Sequence, residues 1–94
     1  RRMTTRIGVH VYKHVYKHNH RIGTVRFKRI IAGGLLRGLV RDAMGTILLR
    51  VEQDEDTDSD TRTWYVHSPS PELLLLSTGK TRTAALAAAG YELR

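Results

Sequence analysis

The segment RIGVHVYKHVYKH, residues 6–18, decides the fold, because its apolar and polar side chains alternate along the chain. Alternation with a period of two is typical of a strand with one buried face. Ile7 and the valines fall on one face, and Val and Tyr both favour strands. The other face carries five ring-bearing side chains: His10, Tyr12, His14, Tyr16 and His18. Because Val-Tyr-Lys-His is repeated in tandem, a helix that stacks every fourth residue remains an alternative.

The residues that follow this segment predict a second strand and then a break. Asn19 and Gly23 indicate a hairpin turn over 18–23. Residues 24–31 predict another basic strand. Gly33 and Gly34 then interrupt the pattern. The first third of the chain is therefore expected to form a basic β-hairpin.

The remaining pattern predicts a helix, three strands and a second helix. Leucines, Val40 and Met44 recur at helical spacing over 35–44, and Gly45 stands where a left-handed C-terminal cap belongs. Arg37 and Arg41 would lie on the polar face of this helix. Later segments predict strands at 46–53, 62–68 and 73–76, and a helix over 81–89 that Gly90 ends.

These elements predict the α+β fold class, with a small antiparallel sheet and two helices in the order β-β-α-β-β-β-α. Ninety-four residues suffice for one domain and one core. We expect a single domain over 1–94, made of a basic β-hairpin at 1–32 and the helix, strands and helix at 33–94.

The charge is unevenly distributed along the chain. The formal net charge is +7, and residues 1–50 hold twelve Lys and Arg residues against one acid, Asp42. An excess of this kind attracts polyanions. Six of the nine acids lie between Glu52 and Asp60. The sequence thus predicts a basic body with one acidic loop.

Composition argues against several functional classes. The chain has no cysteine, which excludes thiolate metal sites and a Cys nucleophile. It contains no Gly-x-Ser-x-Gly motif, and its acids are concentrated in one loop. No apolar run approaches the length that spans a bilayer. We therefore expect a soluble, cytoplasmic, non-enzymatic protein that takes no cofactor. The histidines lack a Cys or carboxylate companion nearby, so no metal site is predicted.

Basic side chains interleaved with aromatic ones favour nucleic-acid binding, because cations neutralise phosphates and rings stack on bases. A helix that begins near Thr81 would also present N–H groups and adjacent cations to a phosphate. The predicted nucleic-acid-binding residues are Tyr12, Lys13, Tyr16, Lys17, Arg21, Arg26, Lys28, Lys80 and Arg82.

The sequence Gly79-Lys80-Thr81-Arg82-Thr83-Ala84, followed by Ala87-Ala88-Ala89, resembles the start of the last helix in the double-stranded RNA-binding domain. The predicted order of helix, three strands and helix over 35–90 is similar to that family as well. The resemblance implies that Lys80 and Arg82 contact phosphates across a major groove. It also implies that the loop between the first two strands of the motif enters a minor groove.

A second hypothesis belongs to another class. The chain has the size of a small phage- or plasmid-like regulator or inhibitor, which would dock on a host protein. The contact would be an exposed strand or the acidic loop, whose candidate residues are Asp54, Glu55, Asp56, Asp58 and Asp60. The sequence is compatible with either a monomer or a homodimer.

Overall fold

A computed structural model of the protein describes residues 12–29, 35–55 and 62–94. Within these ranges the chain is mostly strand. The elements are β1 Lys13–Lys17, β2 His20–Val25, β3 Phe27–Arg29, β4 Leu36–Arg41, β5 Ile47–Glu55, β6 Arg62–His67, β7 Leu75–Gly79, α1 Arg82–Ala88 and β8 Glu92–Leu93.

The strands form one antiparallel sheet in the order β7-β6-β5-β4-β2-β1-β8, and β3 also pairs with β4. β2 and β3 keep a single register against β4, with Thr24 opposite Arg41 and Phe27 opposite Gly38. They therefore act as one long strand that is interrupted at Arg26. After α1 the chain returns to the far end of the sheet, where β8 pairs with β1.

The sheet curls around α1 into a half-barrel. The helix contacts β7, β6 and β8. Because β7 and β8 lie at opposite ends of the strand order, both ends can reach one helix only if the sheet is curved. The hydrophobic core fills the space between the curved sheet and the helix.

Successive side chains of a strand point to opposite faces of the sheet, so every second side chain points into this core. The largest fully buried side chains are one valine from each of five strands together with one helical leucine, namely Val15, Val25, Val40, Val51, Val66 and Leu86. Trp64 is also buried, and its ring meets that of Phe27 edge to face with centroids 5.6 Å apart. Valine suits these positions because its branched side chain packs well on a pleated surface.

The helix predicted over 81–89 is confirmed, as α1. Thr81 is its N-cap, and the Thr81 Oγ1 accepts a hydrogen bond of 3.0 Å from the backbone N–H of Ala84. Gly90 follows the helix with a φ of +92°, which is the left-handed conformation expected of a C-terminal glycine. Ala85 and Leu86 face the sheet and are buried.

The predicted α+β class with two helices is wrong, since the described residues contain a single short helix and are otherwise dominated by strands. Residues 35–44, predicted as a helix, form β4 and the start of a turn. The segment also alternates with a period of two: Gly38 and Val40 are buried, while Arg37 and Arg41 are exposed. Gly38 weakens a helix by about 1 kcal/mol relative to Ala, and pairing with strands on both sides favours the extended form.

The glycine predicted as the cap of that helix does adopt a left-handed conformation, but in a hairpin turn. Gly45 has a φ of +86° in the connection between β4 and β5. Asp42 organises this turn, because its Oδ1 accepts hydrogen bonds of 2.9 Å from the N–H groups of Met44 and Thr46. As the first predicted helix is a strand, the order of elements that the double-stranded RNA-binding resemblance used is not found in the described residues.

The other observed strands agree more closely with the strands predicted from the sequence. The first hairpin turns at His18 and Asn19, with φ values of +51° and +64° that are typical of a two-residue turn. The turn is shorter than the predicted one over 18–23, because residues 20–23 already belong to β2. The strand predicted at 73–76 begins two residues later, as β7. β8 was not predicted at all. Residues 6–11 of the first predicted strand, and residues 30–31 of the second, lie outside the described residues.

Candidate functional site

One face of the sheet carries most of the strands' charged side chains and three of the four tyrosines. Residues directly opposite each other in an antiparallel pair share a face, and neighbours along a strand alternate between faces. The buried valines define the inner face, which α1 covers. We call the opposite side the outer face, and none of the side chains assigned to it below is buried.

A row of five side chains crosses the centre of the outer face. The register pairs Leu39 with Arg50 and Arg50 with His67. The register between β3 and β4, extended by one residue, places Arg26 beside Leu39. The register between β1 and β2, extended in the same way, places Tyr12 beside Arg26. A contact supports this placement, because the Arg26 guanidinium lies 5.4 Å from the centroid of the Tyr12 ring.

A parallel row lies two residues along the strands. Lys28 is opposite Arg37, Arg37 opposite Glu52, Glu52 opposite Tyr65 and Tyr65 opposite Thr78. Glu52 is the acid of this row, and its Oε1 accepts a hydrogen bond of 2.6 Å from the Nε of Arg50. Lys28 and Arg37 make no ion pair within the described residues, so their charges are available to a ligand.

A third group lies where β1 meets β8. The Arg94 guanidinium lies 4.0 Å from the centroid of the Tyr16 ring, and Arg21 Nη1 lies 3.3 Å from His14 Nδ1. Arg94 Nη2 also donates a hydrogen bond of 2.8 Å to Glu92 Oε1. This hydrogen bond lowers the pKa of Glu92 below its ordinary value of 4.5. The Arg94 guanidinium therefore meets both a ring and a carboxylate.

The outer face is strongly cationic as a whole. By strand register, the described part of this face holds seven cationic side chains: Arg21, Arg26, Lys28, Arg37, Arg41, Arg50 and Arg94. The same part holds three acidic side chains: Glu52, Asp54 and Glu92. Two of these acids, Glu52 and Glu92, pair with outer-face arginines. The excess of positive charge is therefore concentrated on one surface.

The described residues line two open cavities on the outer face. One has a volume of about 530 Å³ and is lined by the side chains of Leu39, Arg41 and Arg50 together with the turn at Gly45 and Thr46. Arg41 Nη1 donates a hydrogen bond of 3.2 Å to the carbonyl of Gly45, which fixes this arginine against the turn. The pair of arginines makes the cavity suitable for an anionic group.

The second cavity has a volume of about 490 Å³ and lies beside the acidic part of the face. Its lining includes Glu52, Asp54 and the rings of Tyr65 and His67. The two rings are stacked, with centroids 6.4 Å apart and planes 25° apart. Unlike the first cavity, this one offers carboxylates and rings, so it is less suited to a phosphate.

Two polar atoms of the central row are buried without a hydrogen-bond partner. They are Arg26 Nε and His67 Nδ1, and they are the atoms in the described residues that meet this condition. A buried polar group without a partner costs about 1–3 kcal/mol. Water or a bound ligand that reached the central row would remove part of this cost.

The structure divides the predicted nucleic-acid-binding residues between two sides of the sheet. Five of them lie on the outer face: Tyr12, Tyr16, Arg21, Arg26 and Lys28. Lys13 is opposite buried Val25 and Lys17 lies 5.0 Å from the Tyr91 ring centroid, so both lysines belong to the inner side.

The two cations near the start of the helix are separated from the outer face. Lys80 is exposed in the connection between β7 and α1. The Arg82 guanidinium packs 4.3 Å from the centroid of the Phe27 ring, on the inner side. The outer-face residues Tyr12 and Tyr16 and the start of α1 therefore do not form one continuous surface.

The candidate acidic contact is described only in part. Asp54 is exposed on the outer face opposite Thr63, and the backbone of Glu55 ends β5. Asp56, Asp58 and Asp60 lie outside the described residues.

Four arginines of the outer face were not among the predicted site residues: Arg37, Arg41, Arg50 and Arg94. Two of them fall in the segment mistaken for a helix, where they were assigned to its polar face. The alternation Arg37, Leu39, Arg41 would have revealed them, since it continues the cationic pattern of the preceding hairpin.

Within the ranges that the structure describes, no three His, Cys, Asp or Glu side chains are grouped as metal ligands. The same ranges contain no helix long and apolar enough to cross a membrane. Comparisons with models of protein families, with curated proteins and with solved structures found no match to this chain.

Proposed function

We propose that this protein binds single-stranded nucleic acid across the outer face of its sheet. The observation that carries the proposal is the concentration of seven cations and three tyrosines, Tyr12, Tyr16 and Tyr65, on one surface whose other side is a packed core. Grooves that bind single strands combine the same two elements, cations that follow the backbone and rings that stack on bases.

The phosphates have suitable partners along β3, β4 and β5. Lys28 and Arg37 are cross-strand neighbours, and adjacent strands lie about 4.8 Å apart. Arg41 and Arg50 share the larger cavity, where a guanidinium can bind a phosphate through two hydrogen bonds. Each of these side chains can neutralise one phosphate charge of the nucleic acid. This contact does not require burial of the protein backbone.

The tyrosines have a suitable arrangement for bases. Tyr12 keeps 56% of its surface exposed, while Arg26 packs against its ring. Arg94 packs in the same way against Tyr16. An arginine held against a tyrosine restrains the ring, so less side-chain entropy is lost when a base stacks on it.

A single strand fits better than a duplex because α1 lacks what a groove-binding helix needs. Its exposed side chains are Thr83, Ala84, Ala87 and Ala88, and its one cation, Arg82, is held against Phe27. A helix without free cations or polar side chains has little affinity for a phosphate-lined groove. The sheet face, which offers exposed rings, needs unstacked bases as partners.

The test is a salt titration of affinity for a labelled oligothymidine, followed by fluorescence anisotropy. Replacing Arg37 and Arg41 together by Gln should weaken binding. It should also flatten the slope of log K against log salt by about 1.4, because each contact to a single strand contributes about 0.7. The matched control replaces Lys13 and Lys17 by Gln, which removes the same charge from the inner side and should change the slope much less.

Duplex DNA of the same length should bind more weakly than the single strand at every salt concentration. Melting curves of both variants should resemble that of the wild type, because the replaced side chains lie outside the core. Equal losses from the two double variants would contradict the assignment to the outer face. A wild-type protein without measurable affinity for either polymer at low salt would end the proposal.

A further inference from the structure

The second cavity of the outer face, of about 490 Å³, has the size of a small-molecule site but not the charge of a phosphate site. The described residues that line it include two carboxylates, two rings and two leucines, and no lysine or arginine. The larger cavity begins beside it, because Arg50 lines the larger cavity and donates its Nε hydrogen to Glu52, which lines the second. A ligand with a phosphate in the larger cavity therefore has its neighbouring groups close to the second one.

Flat and apolar surfaces line much of the second cavity. The planes of the Tyr65 and His67 rings lie 25° apart, with centroids separated by 6.4 Å, so the two rings present nearly parallel faces. Leu75 lies opposite His67 on β7, and Leu35 immediately precedes β4. Because β4 and β7 flank β5 and β6 in the strand order, the two leucines stand on opposite sides of the cavity. Leu75 is 56% exposed, and a flat ring held in the cavity can cover part of its surface.

One carboxylate of this cavity is held in a fixed orientation. Glu52 Oε1 accepts a hydrogen bond of 2.6 Å from Arg50 Nε, and the Glu52 side chain keeps 26% of its surface exposed. Each carboxylate oxygen has two acceptor positions, so Glu52 can accept two more hydrogen bonds from a ligand, one on each oxygen. An orientation that is fixed in advance lowers the entropic cost of binding.

Among the common bases, guanine matches this carboxylate best. Its Watson–Crick edge presents two adjacent donors, N1–H and the N2 amine, which one carboxylate can accept together. Adenine and cytosine each present one donor beside a ring nitrogen that accepts, and thymine presents one donor between two carbonyl oxygens that repel a carboxylate. A purine ring also covers more apolar surface than a pyrimidine ring does.

We propose that the second cavity binds a guanine base of the single strand, with Glu52 accepting its two donors and the Tyr65 ring stacking on its face. This assignment rests on the proposed function and adds a base preference, which contacts to phosphates cannot supply because phosphates carry no sequence information. Carboxylates and rings also suit a cationic side chain of another protein. The seven described cations of the outer face oppose that alternative, since they repel a cationic partner and attract a nucleic acid.

The experiment compares two labelled strands by fluorescence anisotropy: an oligothymidine, and the same strand with one central guanine. The wild type should bind the guanine strand about tenfold more tightly, as expected of a contact to a base through two hydrogen bonds. A third strand carries hypoxanthine in place of guanine. Hypoxanthine lacks the N2 amine, so this strand should lose most of the gain.

Glu52→Gln tests the residue that contacts the base edge. Glutamine has nearly the same shape but places a donor where the carboxylate has an acceptor, so the ratio of the two affinities should fall close to one. The matched control is Glu92→Gln, which removes the same charge from the outer face and breaks the same kind of pair with an arginine two residues away. Because Glu92 does not line the second cavity, this variant should keep the tenfold preference.

The guanine site and the proposed function fail in different ways. A wild type that binds both strands equally overturns the guanine site and leaves the proposed function intact, whereas a wild type that binds neither strand removes both. A guanine preference that Glu52→Gln retains also overturns the assignment. The comparison of guanine with hypoxanthine uses the wild type alone, so it is decisive even where a variant fails to fold. Binding of an arginine-rich peptide that Glu52→Gln abolishes, without any guanine preference, would assign the cavity to a protein partner instead.

Discussion

Replacing Gly79 by Ala tests how closely α1 packs against β7. Gly79 ends β7 opposite Trp64, on the inner face. A Cβ built at Gly79 would lie 2.5 Å from the backbone nitrogen of Ala85 and 2.9 Å from its Cα. The φ angle of Gly79 is not positive, so alanine is compatible with the backbone and the helix is the obstacle.

The expected cost follows from the distance by which the helix must retreat. Optimal carbon contacts are about 3.5–4.0 Å long, so relief of the overlap needs a movement of about 1 Å. Overpacking of this kind costs about 1–3 kcal/mol. The lower entropy of the unfolded alanine variant offsets about 0.4–1 kcal/mol of that cost. We therefore expect a net loss of about 1–2 kcal/mol in the free energy of unfolding, and a melting temperature lower by roughly 5–15 °C.

Urea unfolding, followed by the fluorescence of the single tryptophan, measures this loss directly. Trp64 is 6% exposed, so a helix that retreats should also shift the emission of the native state toward that of a hydrated indole. The control is Thr78→Ala, a change on the exposed outer side of β7 that should stay within about 0.5 kcal/mol. A Gly79→Ala variant as stable as the wild type, with unchanged emission, would refute the close packing of α1 on β7.

Two further predictions concern the outer face and its edge. Tyr12→Ala and Tyr16→Ala should each weaken binding of oligothymidine by about 1–3 kcal/mol. The salt slope should stay unchanged, because stacking releases few ions. Anisotropy titrations at several salt concentrations check this prediction, and a flattened slope would contradict a stacking role. Glu92→Gln should destabilise the protein only above the acid range. Since the Arg94 hydrogen bond lowers the pKa of Glu92 below 4.5, the stabilisation is complete above that value and is lost as the pH falls through the lowered folded-state pKa. The urea midpoints of the wild type and of Glu92→Gln, measured at a series of pH values, should converge in acid. A difference that persists there would disprove the stabilising role of the hydrogen bond between Glu92 and Arg94.

The sequence was sufficient for two elements whose local signals agree with the structure, although the tandem repeat in the first of them also allowed a helix. In the first hairpin, Val15 alternates with Tyr16 and His14, and that alternation correctly separated the core from the outer face. The last helix was also correctly placed, because Thr81 and Gly90 supply its two ends. Both predictions depended on local signals that no distant contact opposes.

The sequence was misleading where two periods fit the same residues. Leu36, Leu39 and Val40 satisfy a helical spacing, while Gly38 and Val40 satisfy a strand. The choice depends on β3 and β5, which flank β4 and supply its hydrogen bonds. This information is not local, so neither propensity nor periodicity could provide it. The same error hid Arg37 and Arg41 from the candidate site.

Three register shifts between paired strands of the sheet explain how one alternating pattern builds both the core and the candidate site. They occur at Val15/Tyr16, Val40/Arg41 and Val66/His67, so each follows a fully buried valine and precedes an outer-face residue. A bulge increases the local twist and bends the sheet, and it also changes the direction of the adjacent side chain. The bends that wrap the sheet around α1 therefore also spread the outer-face side chains, because the outer side of a curved sheet is its longer side. A flat sheet with the same residues would hold its cations closer together at a greater repulsive cost, and it would leave Leu86 without a concave surface to fill.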